Sequence, residues 1–331
     1  MEVINGIHQI KVPFSKGITG CTNVYVVEGD KGSILIDSGW DSPESLWALR
    51  EGLKAEHIKL QDIKTVVITH IHPDHYGLAS KIKQLCGAKV AMHRVEAELI
   101  NSRYKDFAEL VKEVEKELAH NGTPQSELLD FTNASLWMKE FVTAESPDII
   151  LEDGDSLSTN SFKIEVIATP GHSLGHICLH EPKKRLLFSG DHVLYDTTPH
   201  IGFNPQSGDN PLGDYISSLQ KLEDLKISFI LPGHGPIFNS LWLRVEKILH
   251  YHEERKRKIM HILEGGLKTA YQIAQESTWK PIQGGIAFSN LACWDKRLAI
   301  METIAHLKLL VAEGKVGNID MNGLSLYVSK E

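Results

Sequence analysis

The sequence predicts an α/β protein with two domains. Over residues 1–242, short segments rich in β-branched residues alternate with segments whose apolar residues recur at helical spacing. Residues 243–331 instead contain three helix-like segments followed by a hairpin-like segment. Because a chain of 331 residues is long enough for two domains, we place the domain boundary between residues 242 and 243.

The N-terminal part of the first domain is predicted to alternate strands and helices. Ser42 and Pro43 are typical of a helix start, and the apolar spacing that follows predicts a helix over residues 42–56. A second helix is predicted to end at Gly87. The run at 63–70 is continuously apolar, which is typical of a strand buried on both faces. The predicted strands are residues 7–14, 23–30, 32–39, 63–70 and 88–93.

Residues 94–146 interrupt this alternation and are predicted to form a helical insertion. Apolar residues lie along one stripe of the insertion: Leu99, Phe107, Leu110, Val111, Val114 and Leu118. Two interpretations stay open. The insertion is either a surface helix pair that buries its own stripe, or a cap over a functional site, where the stripe could line a substrate pocket.

After the insertion, a second group of strands completes the first domain, and the chain then becomes helical. A helix is predicted at 211–225, and Asn322-Gly323 marks a hairpin near the C-terminus. The tail therefore predicts a small winged-helix-like domain over residues 243–331. It holds 13 Lys and Arg against 10 Asp and Glu, and this weak charge favours packing or homodimer formation over nucleic-acid binding. The predicted strands are residues 148–158, 162–171, 175–182, 185–191 and 227–235.

The composition is that of an ordinary globular protein. The formal charge of −8 argues against a large nucleic-acid surface. Four cysteines without CxxC spacing indicate reduced thiols and favour a cytoplasmic location. The N-terminus lacks the pattern of a secretory signal, and no apolar run of about 18 residues predicts a membrane span.

Four metal-binding side chains occur together directly after the predicted strand at 63–70: His70, His72, Asp74 and His75. The first pair is spaced i, i+2, so an extended backbone would point both imidazoles to one side. Pro73 disfavours helix at the residue before it, which argues against a helical metal motif.

Three further candidates each follow a predicted strand and lie beside a glycine: His172, Asp191 and His234. Polar residues that follow strands gather at one sheet edge in α/β folds. Seven imidazole and carboxylate ligands are too many for one tetrahedral ion and suit two metals with a bridging carboxylate. These ligand types suit zinc, and also iron or manganese.

These residues resemble the metal motifs of the metallo-β-lactamase superfamily, and they match over residues 1–242 in motif order. The resemblance implies an αββα sandwich and two divalent metal ions. One ion would be held by His70, His72 and His172, and the other by Asp74, His75 and His234. Asp191 would bridge them. The superfamily's early aspartate falls on Asp37, which would orient ligands without binding metal.

The aspartate at position 191 makes the site similar to those of glyoxalase II, the lactonases and ribonuclease Z rather than the true β-lactamases. The tail is similar to the winged helix of the β-lactamase-like-protein-2 endoribonuclease. We therefore expect a dinuclear hydrolase in which a metal-bound hydroxide attacks the carbonyl of a small ester, thioester or lactone, with Asp74 as the catalytic carboxylate. The alternatives are an endoribonuclease or phosphodiesterase of the same fold and an iron-dependent oxidoreductase.

Overall fold

The computed structural model describes residues 1–14, 20–280 and 284–330. By internal contacts the chain divides into two compact units. The first comprises Met1–Lys105, Met138–Pro199 and Ser218–Arg244, and the second Asp106–Trp137, His200–Ser217 and Val245–Glu331. The second unit thus takes in two segments that the sequence assigned to the first domain. The domain boundary at 242/243 stays a prediction.

The first unit contains a mixed sheet with seven strands in the described part of the chain, and they are hydrogen-bonded in chain order from β1 to β7. The N-terminal four strands pair antiparallel, whereas β4 to β7 run parallel. The strands are β1 (Glu2–Ile4), β2 (Ile7–Pro13), β3 (Cys21–Val27), β4 (Ser33–Ile36), β5 (Ile63–Ile68), β6 (Lys89–His93) and β7 (Ile149–Leu151).

The second sheet of this unit has the order β12-β11-β10-β9-β8 among the described residues. Its pairs are antiparallel except for β11 and β12, which are parallel. The strands β9, β11 and β12 therefore end at the same edge. The strands are β8 (Ser156–Ser158), β9 (Lys163–Ala168), β10 (Ile177–Glu181), β11 (Leu186–Gly190) and β12 (Phe229–Pro232).

The two sheets pack face to face, with helices outside. One apolar core joins them and includes Tyr25 and Val67 from the first sheet and Val166 and Phe188 from the second. A second core lies between the first sheet and its helices. The predicted αββα sandwich is confirmed, while the winged-helix tail stays a prediction. The helices on the first sheet are α1 (Pro43–Ala55), α2 (Pro73–Tyr76), α3 (Ala79–Cys86) and α4 (Arg94–Ile100).

The second unit is mainly helical, and the division between the units falls within α7 and α8. The predicted C-terminal hairpin is present, with Asn322 and Gly323 at its turn. Its elements are α5 (Phe107–His120), α6 (Gln125–Leu136), α7 (Pro211–Lys221), α8 (Leu241–Leu263), α9 (Ala270–Glu276), β13 (Thr278–Trp279), β14 (Ile286–Ala287), α10 (Cys293–Ala312), β15 (Val316–Met321) and β16 (Leu324–Ser329).

The insertion is helical as predicted, but it does not bury its stripe on itself alone. Val114 and Leu118 of α5 belong to the same apolar core as Ile304 of α10. A polar contact also joins the insertion to the C-terminal segment, because the Tyr327 hydroxyl of β16 donates a hydrogen bond at 3.0 Å to Oδ1 of Asn121, the residue after α5. Val114 and Leu118 are used for packing in this core, so they are not available to line an acyl pocket.

A histidine pair in the second unit is expected to make its stability depend on pH. His306 is fully buried, and its Nε2 lies 3.1 Å from His252 Nδ1. Burial lowers the pKa of His306 to about 4; Glu302 opposes this shift, whereas Arg255 and Lys256 add to it. The unfolded state binds more protons below pH ~6.5, so stability falls as pH falls toward 4, by about 2 kcal/mol at pH 5.

Urea unfolding at pH 7 and pH 5, followed by circular dichroism, checks this expectation. His306→Gln keeps an acceptor facing His252 but does not titrate, so the variant should lose about 2 kcal/mol less than wild type over this interval. Equal losses in the two proteins would contradict the assignment.

Cys21, Cys86, Cys178 and Cys293 are free thiols. Among the helices of the described residues, none is both long enough and apolar enough to cross a membrane.

Candidate metal centre

The seven predicted ligands lie together at one edge of the sandwich, all in the first unit. His70 and His72 follow β5, and Asp74 and His75 are in α2. The other three follow strands of the second sheet: His172 after β9, Asp191 after β11 and His234 after β12. The strand ends therefore bring together residues that are far apart in the sequence.

Pro73 shapes the chain at the first histidine pair. It is the first residue of α2, and His72 before it is extended, with φ −62° and ψ 148°. This is the conformation that a following proline favours. As predicted, the pair is not on a helix, whereas Asp74 and His75 are carried by the first turn of α2.

Three histidines form the first potential metal-binding group. His72 Nδ1 lies 3.0 Å from His70 Nε2 and 3.1 Å from His172 Nε2. Burial lowers the pKa of His70 and His72, and the positive charge of Arg103 adds to the effect at His72. The imidazoles of His70 and His72 are thus held neutral, which is the form that binds metal.

Asp74, His75 and His234 form another such group. His234 Nε2 lies 3.2 Å from His75 Nε2 and 3.1 Å from Asp74 Oδ2. Asp191 lies between this group and the first: its Oδ1 is 3.5 Å from His75 Nε2, and its Oδ2 is 3.6 Å from His172 Nε2. Asp191 therefore faces donor atoms of both groups, and its place between two ions stays a prediction.

Hydrogen bonds at the outer ring nitrogens turn the imidazoles toward the centre. Asp37 Oδ2 accepts a hydrogen bond from His75 Nδ1 at 2.8 Å, and Asp37 Oδ1 accepts one from the Thr69 amide at 2.8 Å. The Cys21 carbonyl accepts from His234 Nδ1 at 2.9 Å. With Nδ1 protonated, the Nε2 lone pair of each of these two histidines is directed at the centre.

The charges in the second group favour a bound cation. Burial alone would lower the pKa of His75, but the carboxylates of Asp74, Asp37 and Asp191 raise it well above its usual value. Burial alone would raise the pKa of Asp191, but His234 and His75 hold it well below its usual value. The Asp191 carboxylate is therefore ionised, and a proton on His75 or His234 occupies the position that a cation would take.

The donor atoms fit divalent cations. Nitrogens bound to one tetrahedral zinc ion lie about 3.3 Å apart. The closest pairs of donor atoms here are separated by 3.0 to 3.6 Å. Asp191 Oδ1 is buried and, within the described residues, has no hydrogen-bond partner. Imidazole and carboxylate donors without thiolate suit zinc, iron or manganese.

Several supporting groups were not predicted from the sequence. Thr69 Oγ1 donates to Asp37 at 3.0 Å and lies 3.1 Å from His70 Nδ1, so it links Asp37 to a ligand. His176, buried beside Asp191, accepts a hydrogen bond at Nε2 from the Asp191 amide at 3.1 Å. A threonine directly before the histidine motif gives a weak sequence signal. The Cys21 carbonyl gives none, because a backbone atom leaves no trace in the residue type.

The sequence is similar to known proteins over most of its length. The model of the Metallo-beta-lactamase superfamily matches residues 19–234. The chain is 29% identical to "Probable metallo-hydrolase YqjP" of Bacillus subtilis, over 92% of this chain and 91% of that protein. It is 30% identical to "Acyl-coenzyme A thioesterase MBLAC2" of Homo sapiens, over 66% of this chain and 74% of that protein.

Solved structures agree with this similarity. A metallo-beta-lactamase family protein from Thermus thermophilus superposes with a TM-score of 0.81 at 27% identity, over 99% of this chain and 100% of that chain. A beta-lactamase domain protein from Burkholderia ambifaria has the same fold, with a TM-score of 0.80 at 22% identity, over 100% of this chain and 93% of that chain.

Proposed function

Because this chain belongs to the metallo-beta-lactamase superfamily, we propose that it is a dinuclear metal-dependent hydrolase whose substrates are acyl thioesters. The observation that carries the proposal is the convergence of seven imidazole and carboxylate side chains, with the buried Asp191 between two groups of donors.

The donor groups suggest which residues would hold each ion. His70, His72 and His172 would hold one, Asp74, His75 and His234 would hold the other, and Asp191 would contact both. When bound, divalent cations there would polarise the substrate carbonyl and lower the pKa of water toward neutrality. Zinc is the ion we expect, and iron or manganese would suit the same donors.

The protein's own residues would orient the reacting groups and move a proton. Asp74 is ionised, because His75 and His234 lower the pKa of its carboxyl group despite burial. The Asp74 side chain is 20% exposed, so its carboxylate can face a bound substrate and accept the proton of an attacking water. Asp37 holds His75 in place, and the Cys21 carbonyl holds His234.

An apolar wall beside His234 supports an acyl substrate. The Phe14 ring lies edge-on to the His234 imidazole, with ring centroids 5.7 Å apart, and stacks on Trp40 at 5.2 Å. Trp40 in turn packs against Phe141 at 4.5 Å. Aromatic side chains provide large apolar contact areas, and the half-buried Phe14 would be the one to contact an acyl chain. The thioesterase name of the human relative points to the same substrate class.

Turnover of the purified full chain on a panel of substrates tests this function. The panel would contain acyl-coenzyme A thioesters of increasing chain length, a lactone and a short RNA, and metal content would be measured on the same sample. We expect kcat/KM for thioesters to exceed that for the lactone by about tenfold or more. Faster cleavage of the lactone or of RNA would reject the thioester assignment, and no turnover by metal-loaded protein on any substrate would reject the hydrolase.

A pair of aromatic variants tests the apolar wall. Phe14→Ala is expected to raise KM more for long acyl chains than for short ones, because the lost contact is apolar. Trp47→Ala is the control, since Trp47 is 68% exposed on α1. Equal effects of Phe14→Ala on all chain lengths would contradict a role in binding the acyl group.

A further inference from the structure

Glu96 is a buried carboxylate that contacts the backbone on both sides of one potential metal-binding group, between His70 and His72 and near His172. It lies on α4 and is 0% exposed. Its Oε2 accepts a hydrogen bond from the Ile71 amide at 2.7 Å, and its Oε1 accepts one from the Gly175 amide at 2.6 Å. Each oxygen therefore has its own backbone donor.

The two donors belong to loops that follow strands in different sheets. Ile71 lies between His70 and His72 in the segment after β5, and Gly175 is three residues after His172 in the segment after β9. At the centre, His72 Nδ1 of the first segment lies 3.1 Å from His172 Nε2 of the second. The Glu96 carboxylate thus binds the backbone of both loops, within three residues of His72 and His172, whose rings face each other.

The packing around Glu96 shows that this contact is close and specific. A Cβ atom at Gly175 would lie 2.8 Å from Glu96 Cγ, so the approach of the carboxylate requires glycine there. Burial raises the pKa of Glu96, and the two backbone amides counter the shift. A buried charge is costly without such donors, so the position of the carboxylate is tied to both loops.

The other potential metal-binding group is held by different contacts. Asp37 accepts from His75 Nδ1, the Cys21 carbonyl accepts from His234 Nδ1, and Thr22 Oγ1 donates to the Asp74 carbonyl at 2.9 Å. None of these three contacts involves Glu96. Glu96 therefore contacts only the loops of the first group, whereas Asp37 contacts His75 directly and His70 through Thr69.

We infer that Glu96 is a positioning residue that sets the distance between the two loops, and thereby the affinity of the His70, His72 and His172 group for its cation. The group of Asp74, His75 and His234 keeps its affinity without Glu96. The inference rests on the proposed dinuclear centre. It assigns Glu96 a role toward one of the two cations that is distinct from the role of the ligands themselves.

Zinc titration of the full chain tests the inference. In Glu96→Gln the side chain keeps its size, but its amide group presents a donor to one of the two backbone amides, so one loop is released. We expect the zinc affinity of the His70, His72 and His172 group to fall about 10- to 100-fold, and the affinity of the other group to stay unchanged. Glu98→Gln is the matched control, since Glu98 is exposed on the same helix.

The measurements are competition with a chromophoric chelator for zinc, and the visible spectrum of the cobalt-loaded protein, which reports coordination geometry. Glu96→Asp keeps both acceptor oxygens and should recover part of the affinity. Unchanged affinities in Glu96→Gln, an equal loss of both ions, or unfolded protein from both Glu96 variants would each overturn the inference. A wild-type protein that binds a single zinc ion would instead contradict the proposed dinuclear function.

Discussion

Replacing Asp191 by alanine is expected to lower kcat/KM by about 10³-fold or more, because a binuclear metal site contributes several kcal/mol to transition-state stabilisation. Asp191 is the carboxylate whose two oxygens face both donor groups, at 3.5 Å from His75 Nε2 and 3.6 Å from His172 Nε2. Without Asp191, the imidazoles of the two donor groups face each other and lose the negative charge of the carboxylate that lies between them. Metal content and turnover should therefore fall together.

Metal analysis and steady-state kinetics on the same preparation check this prediction. Asp196→Ala is a suitable control, because Asp196 is an exposed carboxylate five residues further along the chain. Full metal content and wild-type turnover in the Asp191 variant would contradict the proposed centre. A similar loss in the Asp196 variant would show that net charge, rather than the bridging position, is responsible.

Replacing Leu128 by aspartate is expected to destabilise the second unit by about 4 kcal/mol or more, since it removes a buried side chain and introduces a charge. Leu128 lies on α6, is 4% exposed, and belongs to the core that also contains Ile304 of α10. The insertion and the C-terminal helices contribute side chains to this same core, so a substitution that destabilises the insertion also destabilises the C-terminal helices.

The neighbouring residue provides the control for this prediction. Leu129 is on the same helix but is 64% exposed, so Leu129→Asp should change the urea midpoint little. The measurement is urea unfolding of both variants by circular dichroism at one pH. If the two substitutions had equal effects, α6 would not pack in solution as it does in this core.

The elements of the first unit could be predicted largely from the sequence because their signals are local. Ser42 caps α1, and its side chain accepts from the Ser45 amide. Gly87 ends α3 with φ +74°, a conformation that glycine adopts at little cost. The candidate metal ligands were predicted in the same way, because they lie at or just beyond the ends of apolar strands and the residue types themselves suit metal binding.

Contacts between distant segments could not be predicted in this way. The pattern of α5 showed that it has an apolar stripe, but its partners are in α10, nearly two hundred residues away in the chain. The sequence also predicted residues 148–158 as one strand of the second group, which is wrong, because β7 (Ile149–Leu151) joins the first sheet and β8 (Ser156–Ser158) the second. Strand patterns specify which face is buried and not which neighbour covers it.

By itself, the sequence determined the residue types at the centre, the strands that end beside them and the family to which the chain belongs. Apart from Asp37, which the sequence indicated, only the tertiary structure decided which groups support the candidate ligands. Glu96 resembles any charged residue on a helix surface until the loops at Ile71 and Gly175 close around it. The physical reason is that burial and hydrogen bonding depend on distances between atoms that are far apart in the sequence, and residue spacing alone does not encode those distances.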